Sequence, residues 1–221
     1  MTTNSDCGQG QGHFSDLEID NLPNRLTLFR VLLIPVIIGC LSFSQVDPDW
    51  AWAAKYATDL EWVAAWVFAV AAITDFVDGY IARKRNIITV FGSFLDPVAD
   101  KFLTVSSLIM IHALGRVHAI IVIILILREM YMTSLRLLAV GEGLSVPVNW
   151  LGKWKTTTQM VGIPMLMVST TPYGIPFPIM GKVLIYIASF LSLYSSVVYS
   201  VGLVKKIKQK RLERRQRRSS I

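Results

Sequence analysis

Apolar stretches near twenty residues long alternate along this chain with short polar connections, the pattern of helices that cross a bilayer. We place six spans, over residues 26–44, 61–83, 93–114, 117–140, 155–171 and 179–204. Each is close to the ~20 residues that cross a ~30 Å hydrocarbon core. The second, third and fourth are long enough to project beyond the hydrocarbon on one side. Ahead of the first span, "SDLEIDN" carries Ser15 and Glu18 in capping-box spacing. With Phe14, Leu17 and Leu22 it reads as a short interfacial helix ending near Pro23, the alternative being a flexible leader. The expectation is an all-α integral membrane protein with six transmembrane helices and no repeats. Its parts are a polar leader with the interfacial helix (1–24), a six-helix domain (25–204) and a basic tail (205–221).

Composition sharpens this. The 221 residues are 53% hydrophobic and only 17% charged, with a mean hydropathy of +0.50. A soluble domain would be about 25% charged. Much of the +7 net charge lies in "KKIKQKRLERRQRR", residues 205–218, which holds nine Lys or Arg and one Glu. The run directly follows an apolar span. It therefore reads as a juxtamembrane segment against anionic headgroups, or as a topology anchor, and not as a nucleic-acid patch. An even number of spans puts both termini on one side. The basic tail, "ARKRN" and "GKWK" place that side in the cytoplasm. Lys55, Arg116 and Lys182 fall on the other side, beside the acidic "DPD". The leader lacks the basic-then-apolar order of a secretory signal and is Arg-poor, which points to a bacterial plasma membrane. Cys7 and Cys40 have no metal or disulfide spacing, and His13, His112 and His118 sit near span ends as interfacial residues.

Against this background "DFVDGYIARKRNIITVFGSFLDPVAD", residues 75–100, stands out. Carboxylates inside membrane proteins are costly and usually functional, and this stretch holds Asp75, Asp78, Asp96 and Asp100. On a helix turning about 100° per residue, Asp75, Asp78, Gly79 and Ala82 share an arc about 100° wide, with Arg83 at its rim. Asp96 and Asp100 lie one turn apart on the next helix, with Gly92 on the same side. The short connection makes the two helices antiparallel neighbours. Four close carboxylates repel unless cations fill the site. All-oxygen donors suit Mg²⁺ or Mn²⁺, and two such ions would clamp a diphosphate.

The spacing Asp75-x2-Asp78-Gly79-x2-Ala82-Arg83-x8-Gly92-x3-Asp96-x3-Asp100 resembles the signature of the CDP-alcohol phosphatidyltransferase family at every position. The segments 21–35, 91–101, 128–136 and 152–160 also resemble the glycerol-phosphate branch of that family. The resemblance implies a six-helix, homodimeric enzyme with its site open to the cytoplasm and two Mg²⁺ or Mn²⁺ ions. Its substrates would be CDP-diacylglycerol and sn-glycerol 3-phosphate. Asp75, Asp78, Asp96 and Asp100 would ligate the metals, with Asp100 also the general base. Gly79, Ala82 and Arg83 would line the nucleotide pocket, joined by Asn24 and Thr27.

The acceptor brings its own phosphate, so cations are expected around it. Arg128 and Lys155 are the leading candidates, followed by Arg136 and Lys153. The plainer alternative pairs Arg128 with Glu129 or a motif aspartate, and makes the two lysines topology anchors. Two other functions compete. One is the same chemistry with inositol phosphate or phosphatidylglycerol as acceptor. The other is a divalent-cation transporter, which would favour carboxylates near the bilayer midplane and a pseudo-repeat.

Overall fold

The structure is a computed structural model. It describes residues 22–45, 51–85, 90–143, 150–171 and 174–219. Side chains are described at 27–45, 56–74, 98–143, 150, 152–171, 174–210, 212 and 216. Residues 1–21 of the leader, with most of the expected interfacial helix, lie outside these residues, while Leu22, Pro23 and Asn24 belong to the first helix and not to the end of a separate one.

The described residues form six helices and no strands: α1 (Leu22–Phe43), α2 (Ala51–Arg85), α3 (Val90–Ala113), α4 (Ala119–Gly141), α5 (Trp150–Met167) and α6 (Phe177–Ser219). Pro23 opens α1, where a missing N–H costs nothing. α2 begins ten residues before the expected span, because Glu61 finds a buried partner inside the bundle and does not mark its edge. α6 runs on through the basic segment. Lys, Arg, Gln and Glu are good helix formers, so the loss of apolar character does not end it.

α1 packs against both α2 and α3. α5 packs against α2, α3 and α6, and α4 bridges α3 and α6. The main core gathers Ile37 and Leu41 of α1, Phe68 of α2, Ile111 of α3, Ile163 of α5 and Ile185 of α6, all essentially inaccessible. The α5–α6 contact is the closest. A Cβ at Gly181 would stand 3.0 Å from the Gly162 carbonyl and 3.0 Å from the Leu166 amide nitrogen, so the two backbones touch through small residues. A second apolar cluster, Met132, Ala139, Tyr199 and Leu203, joins α4 to α6. Beyond it Lys210 donates to the carbonyls of Glu142 and Gly143. The basic part of α6 is thereby fixed to the C-terminal end of α4, where a cation offsets unpaired carbonyls.

The exterior is apolar. Trp66, Leu127 and Phe190 are among many large side chains that face outward. Two helical stretches, Tyr56–Thr74 and Phe177–Lys210, are long and apolar enough to cross a membrane. With the outward apolar surface they fit a membrane protein.

Polar groups collect at the two ends of the bundle. At one end Glu61 of α2 pairs with Arg116 in the α3–α4 turn. The same guanidinium donates to the carbonyls of Leu166, at 2.8 Å, and Met167. The other Glu61 oxygen accepts the Ser169 amide at 2.7 Å. These bonds close off α5 at Met167, four residues short of the expected span. Nearby His112 Nδ1 lies 3.0 Å from the Val117 carbonyl, and His118 caps α4.

Candidate functional site

The motif aspartates lie toward the opposite end. Asp75, Asp78, Gly79, Ala82 and Arg83 all fall on the closing turns of the unbroken α2, and Asp96 and Asp100 on the opening turns of α3. Residues 86–89 alone connect the two helices, so these ends are neighbours in space. The side chains of Asp75, Asp78, Gly79, Ala82, Arg83, Asp96 and Asn24 lie outside the described ones. Asp100 is described and half-buried. Its carbonyl accepts the Thr104 hydroxyl at 3.0 Å.

α1 brings two polar residues to this end. Its inward stripe is Thr27, Arg30, Ile34, Ile37 and Leu41, with Thr27 and Arg30 each only 1% exposed. Gln45 Nε2 donates to the Ala113 carbonyl at 3.1 Å, which sets the register of α1 along α3. The same number of residues back along each helix puts Arg30 level with residue 98, between Asp96 and Asp100. A guanidinium so fully buried requires negative charge nearby. Sequence reasoning passed over Arg30. Its signal was a lone arginine in "LTLFRVLLIP", an apolar stretch where any charge has a reason to be present.

Beside Asp100, three helices converge on a mixed-charge cluster. Glu129 of α4 accepts from Lys155 Nζ of α5, and from Arg128 Nη1 at 3.3 Å. The rest of the Arg128 guanidinium turns to α6. Nε donates to the Ser196 hydroxyl at 2.8 Å and the Ser192 carbonyl at 3.0 Å, and Nη2 to the Ser195 hydroxyl at 2.6 Å. Lys101 donates to Thr133 at 2.6 Å, and Thr133 donates back to the Glu129 carbonyl at 2.9 Å. The Lys155 ammonium lies in the field of Asp100 as well as Glu129. Lys101 acts on Glu129, and Arg136 on Arg128.

The four cations expected at an acceptor site therefore separate. Arg128 and Lys155 are buried and share Glu129. Arg136 is exposed one helix face away on α4. Lys153 is exposed too, about 200° around α5 from Lys155. The pairing of Arg128 with Glu129, the plainer alternative, is present. So is an unforeseen anchorage of Arg128 on α6 serines, which a separation of more than sixty residues hid from sequence reading.

The donor set of the α2 and α3 ends is all carboxylate, and it fits Mg²⁺ or Mn²⁺ better than softer metals. Among the described residues there is no group of three or more metal-ligating side chains; of the four aspartates, Asp100 alone has its side chain described.

Comparison with known proteins agrees with the motif. The family model for CDP-alcohol phosphatidyltransferase matches residues 20–194. A Bacillus subtilis (strain 168) protein named CDP-diacylglycerol–glycerol-3-phosphate 3-phosphatidyltransferase is 36% identical over 185 residues, covering 81% of this chain and 93% of its own. Proteins of the same name from Rickettsia felis and Haemophilus influenzae are each 37% identical over 180 and 183 residues. Each alignment covers 81% of this chain, with 93% and 91% of the respective relative. The chain belongs to the CDP-alcohol phosphatidyltransferase family.

Proposed function

We propose that this protein transfers the phosphatidyl group of CDP-diacylglycerol to sn-glycerol 3-phosphate, giving phosphatidylglycerophosphate and CMP. The observation that carries this is a juxtaposition. The aspartate motif lies on adjoining ends of α2 and α3, and Lys155 of α5, which shares Glu129 with the buried Arg128 of α4, lies within the field of Asp100. The first suits a diphosphate and the second a phosphomonoester.

In the reaction the acceptor hydroxyl oxygen forms a bond to the β-phosphorus, and the bond from that phosphorus to the CMP oxygen breaks. Asp100 takes the hydroxyl proton, which requires hydrogen-bond reach in the bound complex. Asp75, Asp78, Asp96 and Asp100 would hold two Mg²⁺ or Mn²⁺ ions, which supply charge neutralisation on the diphosphate. Gly79, Ala82 and Arg83, with Thr27 and Asn24 from α1, would receive the cytidine nucleotide. Lys155 and the Nη1 edge of Arg128 would hold the acceptor phosphate. The α6 serines fix the angle of that guanidinium, so it meets the ligand already oriented. Arg136 and Lys153 stand further out as steering charges.

The working unit we propose spans a bacterial inner membrane six times as a homodimer. Both termini and the site face the cytoplasm. The Lys- and Arg-rich connections at the motif end and the basic extension of α6 support that orientation. The test is CMP release by purified protein given CDP-diacylglycerol and Mn²⁺ or Mg²⁺. Glycerol 3-phosphate, inositol phosphate and phosphatidylglycerol are offered separately. Release with glycerol 3-phosphate alone, abolished by chelation, is expected. Release with a different acceptor overturns the substrate, and no release in any tube overturns the reaction.

A further inference from the structure

Glu129 has no part in the chemistry above, yet it sits between the two cations assigned to the acceptor phosphate. Three observations bear on it. First, one oxygen, Oε2, accepts from both Lys155 and Arg128, much as a phosphate oxygen would. Second, its side chain is 30% exposed, against 5% for Lys155 and 8% for Arg128. It is the most exposed member of the trio. Third, Lys155 and Arg128 together set two positive charges against the single carboxylate of Glu129 that they share. A phosphomonoester at neutral pH carries about −1.5 to −2.

We infer that Glu129 is an anionic placeholder: it occupies the acceptor-phosphate position in the empty protein and yields Lys155 and Arg128 when the phosphate arrives. This rests on the acceptor-site reading above and deepens it. A buried ammonium with no anion beside it is strongly unfavourable, so the site needs an internal counter-ion between turnovers. Glu129 supplies one and keeps both cations pointed inward. The same contact makes it a competitor. Phosphate binds only as strongly as its advantage over a carboxylate already in place. Glu129 then sets acceptor affinity through the two cations, as a positioning residue.

The experiment measures binding of inorganic phosphate to the full-length, Mg²⁺-loaded protein in phosphatidylcholine nanodiscs, with the KM for glycerol 3-phosphate alongside. Glu129→Gln keeps the shape and removes the charge. It is expected to bind phosphate about tenfold more tightly, with KM lowered by a similar factor and kcat within about twofold. Lys155→Met should bind about tenfold more weakly, and Glu129→Gln/Lys155→Met should keep that loss. Phosphate affinity unchanged or weakened in Glu129→Gln overturns the inference. So does a double variant restored to wild-type affinity, because the two groups would then only have been holding each other. If Glu129→Gln does not fold, Glu129→Asp serves. Its shorter side chain cannot span both cations, so tighter phosphate binding is expected, and unchanged or weaker binding overturns the inference. A binding gain in Glu129→Gln, beside wild-type protein that releases no CMP with glycerol 3-phosphate, would sink the proposed reaction and leave the placeholder standing.

Discussion

The two ends of this bundle each pair a glutamate with a cation, and they do different things with the same chemistry. At the Glu61 end every strong group is matched. One oxygen takes Arg116, the other takes the Ser169 amide, and Nη1 of the same guanidinium donates to the last carbonyls of α5. Charge cancels and a loop is locked between α2 and α5. At the Glu129 end two buried cations share one carboxylate, and that glutamate is the most exposed of the three. A closed pair is architecture. On the proposed reading, two buried cations sharing one more exposed carboxylate are arranged to receive a ligand. Burial alone does not separate the two cases, since Glu61, Arg128 and Lys155 are all buried. Charge balance and the exposure of the shared partner do.

Substitutions at the two ends should therefore separate into losses of turnover and losses of stability. The largest effect is expected at Asp100. Asp100→Asn should lower turnover by about a thousandfold, the scale of a lost general base, while CDP-diacylglycerol still binds. Single-turnover CMP release would measure it, and near-normal turnover would refute the assignment. Next comes Arg116→Met, which leaves Glu61 buried beside uncapped carbonyls. Breaking a buried pair costs about 3 kcal/mol or more, read as a lower midpoint of denaturation in detergent with KM for both substrates unchanged. A shifted KM with an unchanged midpoint would reverse the roles of the two ends. Smallest is the contrast between neighbouring lysines. Lys155→Met should raise the glycerol 3-phosphate KM about tenfold, and Lys153→Met, on the exposed face, by less than about twofold. Equal effects from the two would mean that α5 presents no single face to the acceptor.

Much of this organisation was written in local sequence. The six helices followed from apolar runs, and the aspartate motif from spacing on two of them, because both are periodic signals within a few turns of one another. What sequence missed is non-local. Arg116 read as a charge outside a span, and only the fold brings it to Glu61. Lys155 was ranked ahead of Lys153 in sequence, but their burial was not legible there. The helical face that separates them is set by which side of α5 meets α3 and α6. Arg128 promised a free fork for phosphate, but most of its donors are committed to serines on α6. The continuation of α6 through the basic segment escaped a reading that followed hydrophobicity, since helix propensity persists where apolar character ends.

The most direct test of this division makes one change, Glu→Gln, at both ends, and records denaturation midpoint and glycerol 3-phosphate KM on the same preparations. Glu61→Gln should lower the midpoint and leave KM unchanged, because the amide sets a donor against a donor in a saturated pair. Glu129→Gln should lower KM about tenfold with the smaller change in midpoint. Two variants that lose stability alike, with neither changing KM, would contradict the account and make both clusters structural.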